Sequence, residues 1–124
     1  MKKYLLSVLL LTLACSAWAD EVPFNQVKFD QANAAGQPVV VYFHADWCPT
    51  CRVQQPIVAR LSAEPKLKAV TIFEADFDTE TALEKTLKVG QQSTFVAFKH
   101  GQEVSRSTGQ TQESAIRDIL QKAL

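Results

Sequence analysis

The sequence predicts an α/β domain: a central mixed β-sheet with helices on both faces. Three observations carry that prediction. Val39-Val40-Val41-Tyr42-Phe43 is an unbroken apolar run rich in β-branched residues, the pattern of a strand covered on both sides. Strand-like and helix-like stretches then alternate along the chain, the order that builds crossover units on a parallel sheet. A strand–turn–strand segment before the last helix adds an antiparallel pair, which makes the sheet mixed.

The elements follow in order. Val22 to Val27 reads as a short edge strand. Asp30 to Ala35 is alanine-rich and helical in character, with Gly36 as its terminator. After the Val39–Phe43 strand, Pro49 to Ser62 reads as a helix, because Val53, Ile57, Val58 and Leu61 recur at helical spacing. Pro49 suits the first helical position. Pro56 lies inside and is expected to kink the helix, since its ring removes a donor and crowds the preceding turn. Val70 to Phe77 is the next strand, and Glu80 to Val89 a helix with Leu83 and Leu87 on one face. Thr94 to Phe98 is a strand, residues 99–102 a turn, and Glu103 to Ser107 its hairpin partner. Gln112 to Leu124 closes the chain as a helix with Ile116, Ile119 and Leu120 inward. No repeat, linker or low-complexity tract interrupts this order.

Residues 1–19 read as a secretory signal peptide. Lys2 and Lys3 form a positive start, Tyr4 to Ala14 an apolar stretch, and Ala17-Trp18-Ala19 a small-x-small cleavage pattern before Asp20. The apolar stretch is shorter than the roughly 20 residues a membrane-spanning helix needs. Residues 20–124 then form one small domain, exported to the periplasm or beyond, where disulfides are permitted. Cleavage removes two bases and no acid from thirteen of each, leaving a net charge of about −2, which argues against a nucleic-acid surface. Cys15 is the complication. Thr12-Leu13-Ala14-Cys15 resembles a lipoprotein cleavage box with Thr12 in the usual leucine position, so a lipid anchor through Cys15 is the lesser alternative to soluble export.

Trp47-Cys48-Pro49-Thr50-Cys51 directly follows the buried strand. Two thiols two residues apart can close and reopen a small disulfide ring. Where a strand turns into a helix, the first thiol meets unpaired N–H groups and the positive helix end, which favour the thiolate, the reactive form. A structural zinc site normally needs four ligands, and beyond residue 51 the chain offers one histidine, His100, and no cysteine. A three-ligand site of Cys48, Cys51 and His44 is a minor alternative, and no metal is expected. Redox use of Cys48 and Cys51 is the favoured reading.

On these residues the chain resembles the thioredoxin family. The resemblance runs from about Phe24 to Leu124. It includes the strand and helix start from Val39 to Arg52, the proline five residues after the second cysteine (Pro56), the Phe95–Gly101 strand and turn, and Gly109. The Ala-Asp-Trp-Cys wording is similar to periplasmic thioredoxin-like domains of disulfide reductases. The resemblance implies a thioredoxin fold, with Cys48 as nucleophile and Cys51 as the resolving thiol. It implies no bound cofactor, and Trp47, Pro49, Thr50, Gln92, Ser93 and Gly109 as the surface that meets substrate.

Three departures from the family stand out. Ser93, preceded by Gln92, occupies the place of a proline whose peptide bond is cis. A cis bond before a non-proline residue costs roughly 2.5–4 kcal/mol, so this bond is expected to be trans and the substrate-holding edge reshaped. Tyr42 replaces a buried aspartate on the active-site strand, and Glu74 replaces its lysine partner on the next. Glu74 is therefore the candidate proton acceptor for Cys51. His44 stands where tryptophan is common and is read as a cap on the strand end. The expected protein is an exported, monomeric thiol–disulfide oxidoreductase acting on protein thiols and disulfides, with an unidentified membrane or periplasmic redox partner and no nucleic acid. The alternative is a binding module for a client peptide or metal that turns little over.

Overall fold

The computed structural model describes residues 21–124; the segment read as a signal peptide, the expected cleavage position before Asp20, and Cys15 lie outside the described residues. Five strands, β1 (Glu21–Pro23), β2 (Val39–His44), β3 (Thr71–Asp76), β4 (Thr94–Lys99) and β5 (Gln102–Thr108), form one sheet in the order β1-β3-β2-β4-β5. β1, β3 and β2 run parallel, whereas β4 is antiparallel to both β2 and β5. The helices are α1 (Gln26–Ala34), α2 (Pro49–Ser62), α3 (Thr81–Leu87) and α4 (Glu113–Gln121), with a single 3₁₀ turn at Pro65–Leu67. The expected mixed sheet is present.

Both faces of β2 are buried, which is why its sequence shows no polar alternation. Val40 and Tyr42 point into a core shared with Ile57, Leu61, Ile116 and Leu120 of α2 and α4. Val39, Val41 and Phe43 point the other way, onto Phe29 of α1 and Leu83 of α3. Phe29 anchors that second layer through edge-on contacts with Phe73 and Phe98, at centroid distances of 5.9 and 5.3 Å. At the β4–β5 turn, a Cβ on Gly101 would stand 2.9 Å from the Asn33 carbonyl oxygen, so only glycine fits there.

Two predicted boundaries move. The 22–27 segment is not one strand: pairing stops at Pro23, and α1 begins four residues before the predicted Asp30 start. The cause is Asn25, whose side-chain oxygen accepts the Lys28 N–H at 3.0 Å and caps the helix. The inward face of α2 is Cys51, Gln54, Ile57, Val58 and Leu61, and Val53 is 49 % exposed rather than inward. The helix runs on through Pro56 to Ser62.

Candidate active site

The site forms where the C-terminal end of β2 meets the start of β4. Their antiparallel register sets Phe43 opposite Thr94, so the loop after β2 and the first turn of α2, which carry Cys48 and Cys51, meet the residue before β4, Ser93. The chain leaves β2 through a turn closed by the Cys48 N–H on the Ala45 carbonyl at 3.1 Å. Cys48 has extended backbone angles and is the N-cap of α2. Its sulfur accepts the Cys51 N–H at 3.2 Å, taking the position that a serine or aspartate oxygen commonly fills. Pro49 sits at the first helical position, where a missing N–H costs nothing. Cys48 is 1 % exposed and Cys51 fully buried, and both are thiols in this structure.

Ser93 completes the pair. Its hydroxyl lies 3.2 Å from the Cys48 sulfur and 3.1 Å from the Cys51 sulfur. The residue is 4 % exposed and adopts φ +63°, the left-handed region that non-glycine residues seldom occupy. Its neighbours over-determine that conformation. The Ser93 carbonyl accepts from the Gly109 N–H at 3.0 Å and from the Gln54 side-chain amide at 3.4 Å, while the Thr94 hydroxyl donates to the Gln91 carbonyl at 2.8 Å. No peptide bond among the described residues is cis, and Gln92–Ser93 is trans as expected.

These contacts drive the two thiols apart. Burial works against ionisation of Cys48. The hydrogen bonds it receives from the Cys51 thiol, the Ser93 hydroxyl, the Cys51 backbone and the Gln92 side chain outweigh that cost and lower its pKa. Cys51 goes the opposite way: burial, and then its bond to Cys48, raise it, and the Ser93 and Ala45 contacts only partly oppose this. The contacts thus favour the thiolate of Cys48 over that of Cys51.

Beneath the dithiol lies a polar net. Gln54, 0 % exposed on the inward face of α2, accepts from the Tyr42 hydroxyl at 3.0 Å and donates to the Gln110 carbonyl at 2.8 Å as well as to Ser93. Tyr42 stacks flat on Phe95 at 4.4 Å, and its hydroxyl also reaches the Cys51 carbonyl at 3.4 Å. Burial, reinforced by the nearby sulfurs and the Glu74 and Glu21 carboxyls, raises the tyrosine far above its ordinary range and keeps it neutral.

The expected substrate surface gathers around this centre. Trp47 is 55 % exposed beside the cysteines, its indole N–H fixed on Asp78 at 2.8 Å. Pro49 and Thr50 open α2, Gln92 faces Cys48, and Gly109 holds Ser93. Glu74 is not brought to Cys51. Its partners are Glu21, by a carboxyl–carboxyl hydrogen bond, and His44, whose Nε2 lies 4.0 Å away. The other ring nitrogen of His44 meets the Gln55 amide of α2 at 3.3 Å, so the ring is engaged between α2 and β3. Glu21 is pushed up to about 8 by burial, then by the hydrogen bond and charge of Glu74.

Sequence reasoning missed Gln54, Asp78 and Glu21. Gln54 had a readable signal: a polar residue at an inward helical position three after Cys51 must find buried partners. Asp78 and Glu21 are joined to the site only by long-range pairing, which local patterns do not carry.

The thioredoxin family model matches residues 20–122. Among curated proteins, the chain is 35% identical over 92 residues to a thioredoxin H-type of Fagopyrum esculentum, covering 74% of this chain and 78% of the relative. It is 32% identical over 98 residues to a thioredoxin of Chlamydia trachomatis serovar D, covering 79% and 93%. Among solved structures, the crystal structure of Trxlp from Edwardsiella tarda EIB202 superposes with a TM-score of 0.79 at 40% identity, over 82% of this chain and 98% of that one. A thioredoxin of Malassezia sympodialis follows at 0.73 and 25% identity, over 84% and 90%.

Proposed function

The chain belongs to the thioredoxin family and is a thiol–disulfide oxidoreductase, and from that premise we propose an exported enzyme in which Cys48 attacks and Cys51 resolves. The observation that carries the assignment of roles is the hydrogen-bonding of Cys48. Its sulfur caps α2, receives the Cys51 N–H and faces the Ser93 hydroxyl, and these contacts favour its thiolate. The Cys48 thiolate attacks a substrate disulfide, forming a Cys48–substrate bond and releasing one substrate thiolate. The Cys51 sulfur then attacks Cys48, closing the protein disulfide and releasing the second substrate thiol as Cys51 gives up its proton. Trp47, Pro49, Thr50, Gln92 and Gly109 form the surface on which the substrate lies. Substrates on this reading are disulfides of exported proteins, and a redox partner returns the enzyme to its starting state.

The test uses residues 20–124 and two variants. Cys48→Ser abolishes exchange, and Cys51→Ser accumulates mixed disulfides visible by intact mass. Exchange that survives in Cys48→Ser, or attachment of substrate to Cys51 instead, overturns the roles. A protein that forms no reversible disulfide in a glutathione series but still retains a peptide in both variants is a binding module. Export rests on the N-terminal sequence. Its test is the mature N-terminus of the expressed full chain: Asp20 is expected, a lipid-modified Cys15 replaces soluble export with an anchored exported form, and an uncleaved chain overturns export.

A further inference from the structure

We propose that the Ser93 hydroxyl is a proton relay in the second half of exchange, passing the Cys51 proton to the departing substrate sulfur. The inference rests on the oxidoreductase reading and concerns how its resolving step is completed.

The chemistry of the contacts singles out this hydroxyl. Cys51 must lose its proton to attack, and it is fully buried, so water does not reach it freely. Its sulfur meets three polar groups: the Cys48 sulfur, the Ser93 hydroxyl and the backbone N–H of Ala45. An N–H donates and cannot accept. Once Cys48 is bonded to substrate its sulfur carries no charge and is the centre under attack. That leaves the Ser93 oxygen as the proton acceptor in contact. Glu74 is engaged with Glu21 and His44, away from the sulfur.

A hydroxyl is suited to the task, because it offers one donor and two acceptor positions together. Ser93 lies 3.1 Å from Cys51 and 3.2 Å from Cys48. In the mixed disulfide the substrate sulfur is bonded directly to the Cys48 sulfur, which the hydroxyl contacts. The step balances. The Cys51 S–H bond breaks and its proton goes to the Ser93 oxygen, while the original Ser93 proton goes to the substrate sulfur. The Cys51–Cys48 bond forms as the Cys48–substrate bond breaks, and Ser93 ends as it began. The left-handed backbone at Ser93, held by Gly109 and Gln54, fixes the oxygen between the sulfurs.

The experiment follows both steps in residues 20–124 by rapid quench, alkylation and mass, at reagent concentrations where resolution by Cys51 limits. Two probes are used: hydroxyethyl disulfide, whose alkyl thiolate needs a proton to leave well, and an aromatic disulfide (DTNB), whose thiolate leaves without one. Ser93→Gly and Ser93→Ala both remove the hydroxyl, but only alanine is strained at φ +63°. The expected result is that both variants slow resolution at least tenfold with hydroxyethyl disulfide and much less with DTNB. Equal slowing with both probes, no slowing, or a loss in alanine that glycine lacks overturns the relay. If the unaltered protein forms the mixed disulfide but never resolves it, the oxidoreductase reading itself has failed, a separate outcome.

Discussion

Gln54 ties three parts of the site together, and replacing it tests the buried net directly. In Gln54→Met the side chain keeps nearly the same length, so little cavity opens and the loss is mostly polar. Two good hydrogen bonds disappear, from the Tyr42 hydroxyl at 3.0 Å and to the Gln110 carbonyl at 2.8 Å, and one long one to Ser93 at 3.4 Å. Each good bond is worth about 1 kcal/mol net. The buried Tyr42 hydroxyl is left with the Cys51 carbonyl at 3.4 Å, a poor acceptor, which adds a share of the cost of an unpaired group. The sum is about 2–3 kcal/mol, or about 10–15 °C in Tm for a domain of this size. Urea unfolding of the reduced protein measures it, with the slope unchanged. Tyr42→Phe combined with Gln54→Met removes both partners, so the double variant should lose about 1 kcal/mol less than the two single losses added. A single-variant cost below about 0.5 kcal/mol, or strict additivity, refutes the reasoning.

Glu21 gives a pH dependence of stability. Its folded pKa of about 8 lies above the ordinary 4.5, so the folded state holds a proton that the unfolded chain releases. Stability is therefore highest below about pH 4.5 as far as this group is concerned, and is lost as pH rises toward 8. Glu21→Gln should remove that decline and raise stability at pH 8 by about 1 kcal/mol after allowance for solvent screening; thermal melts from pH 5 to 8 that leave the two proteins parallel count against it. Trp47 is the only tryptophan of residues 20–124, so its fluorescence reports one ring. Asp78→Ala releases the indole and should lower its steady-state polarisation while changing stability by less than about 1 kcal/mol; unchanged polarisation refutes the anchor. Alkylation of Cys48 should follow one ionisation below that of a free thiol and, given 1 % exposure, proceed faster with iodoacetamide than with a bulky maleimide of greater intrinsic reactivity. Iodoacetamide rates that rise only above the free-thiol pKa would contradict the assignment of Cys48 as the thiolate.

The fold was legible because its signals are local. The apolar run at β2, the helical spacing of Ile57, Val58 and Leu61, and the turn at residues 99–102 each mark an element within a short window. The first boundary was misread for the same reason. Val22 to Val27 has strand-like residues, but the cap at Asn25 outweighs their propensity. In the site, the cysteine pair and its helix start were legible from spacing. Ser93 was placed by resemblance, but its hydroxyl contact with both sulfurs depends on the β2–β4 register and on a left-handed backbone, and neither is written locally. Glu74 was assigned to Cys51 by analogy with a carboxylate on the other strand. Pairing in the parallel sheet gives it Pro23 as its β1 register partner, and its side chain meets the Glu21 carboxyl instead.

The two replacements in the centre of the site have a common physical consequence. A buried carboxylate under the dithiol would place a charge near Cys51 and couple exchange to its own titration. Tyr42 puts a neutral hydroxyl there, kept neutral by burial, and Gln54 meets it with a neutral amide. A proline beside the sulfurs would offer them no donor; Ser93 offers one hydroxyl to both. The polarity around Cys48 and Cys51 is thus carried by dipoles rather than by ionised side chains. Dipoles fixed in a buried site stabilise a thiolate without adding a second ionisation. The dipoles that set the balance between the two thiols are then the Cys51 and Ala45 N–H groups, the Gln92 side chain and the Ser93 hydroxyl, and Ser93 alone among them touches both sulfurs.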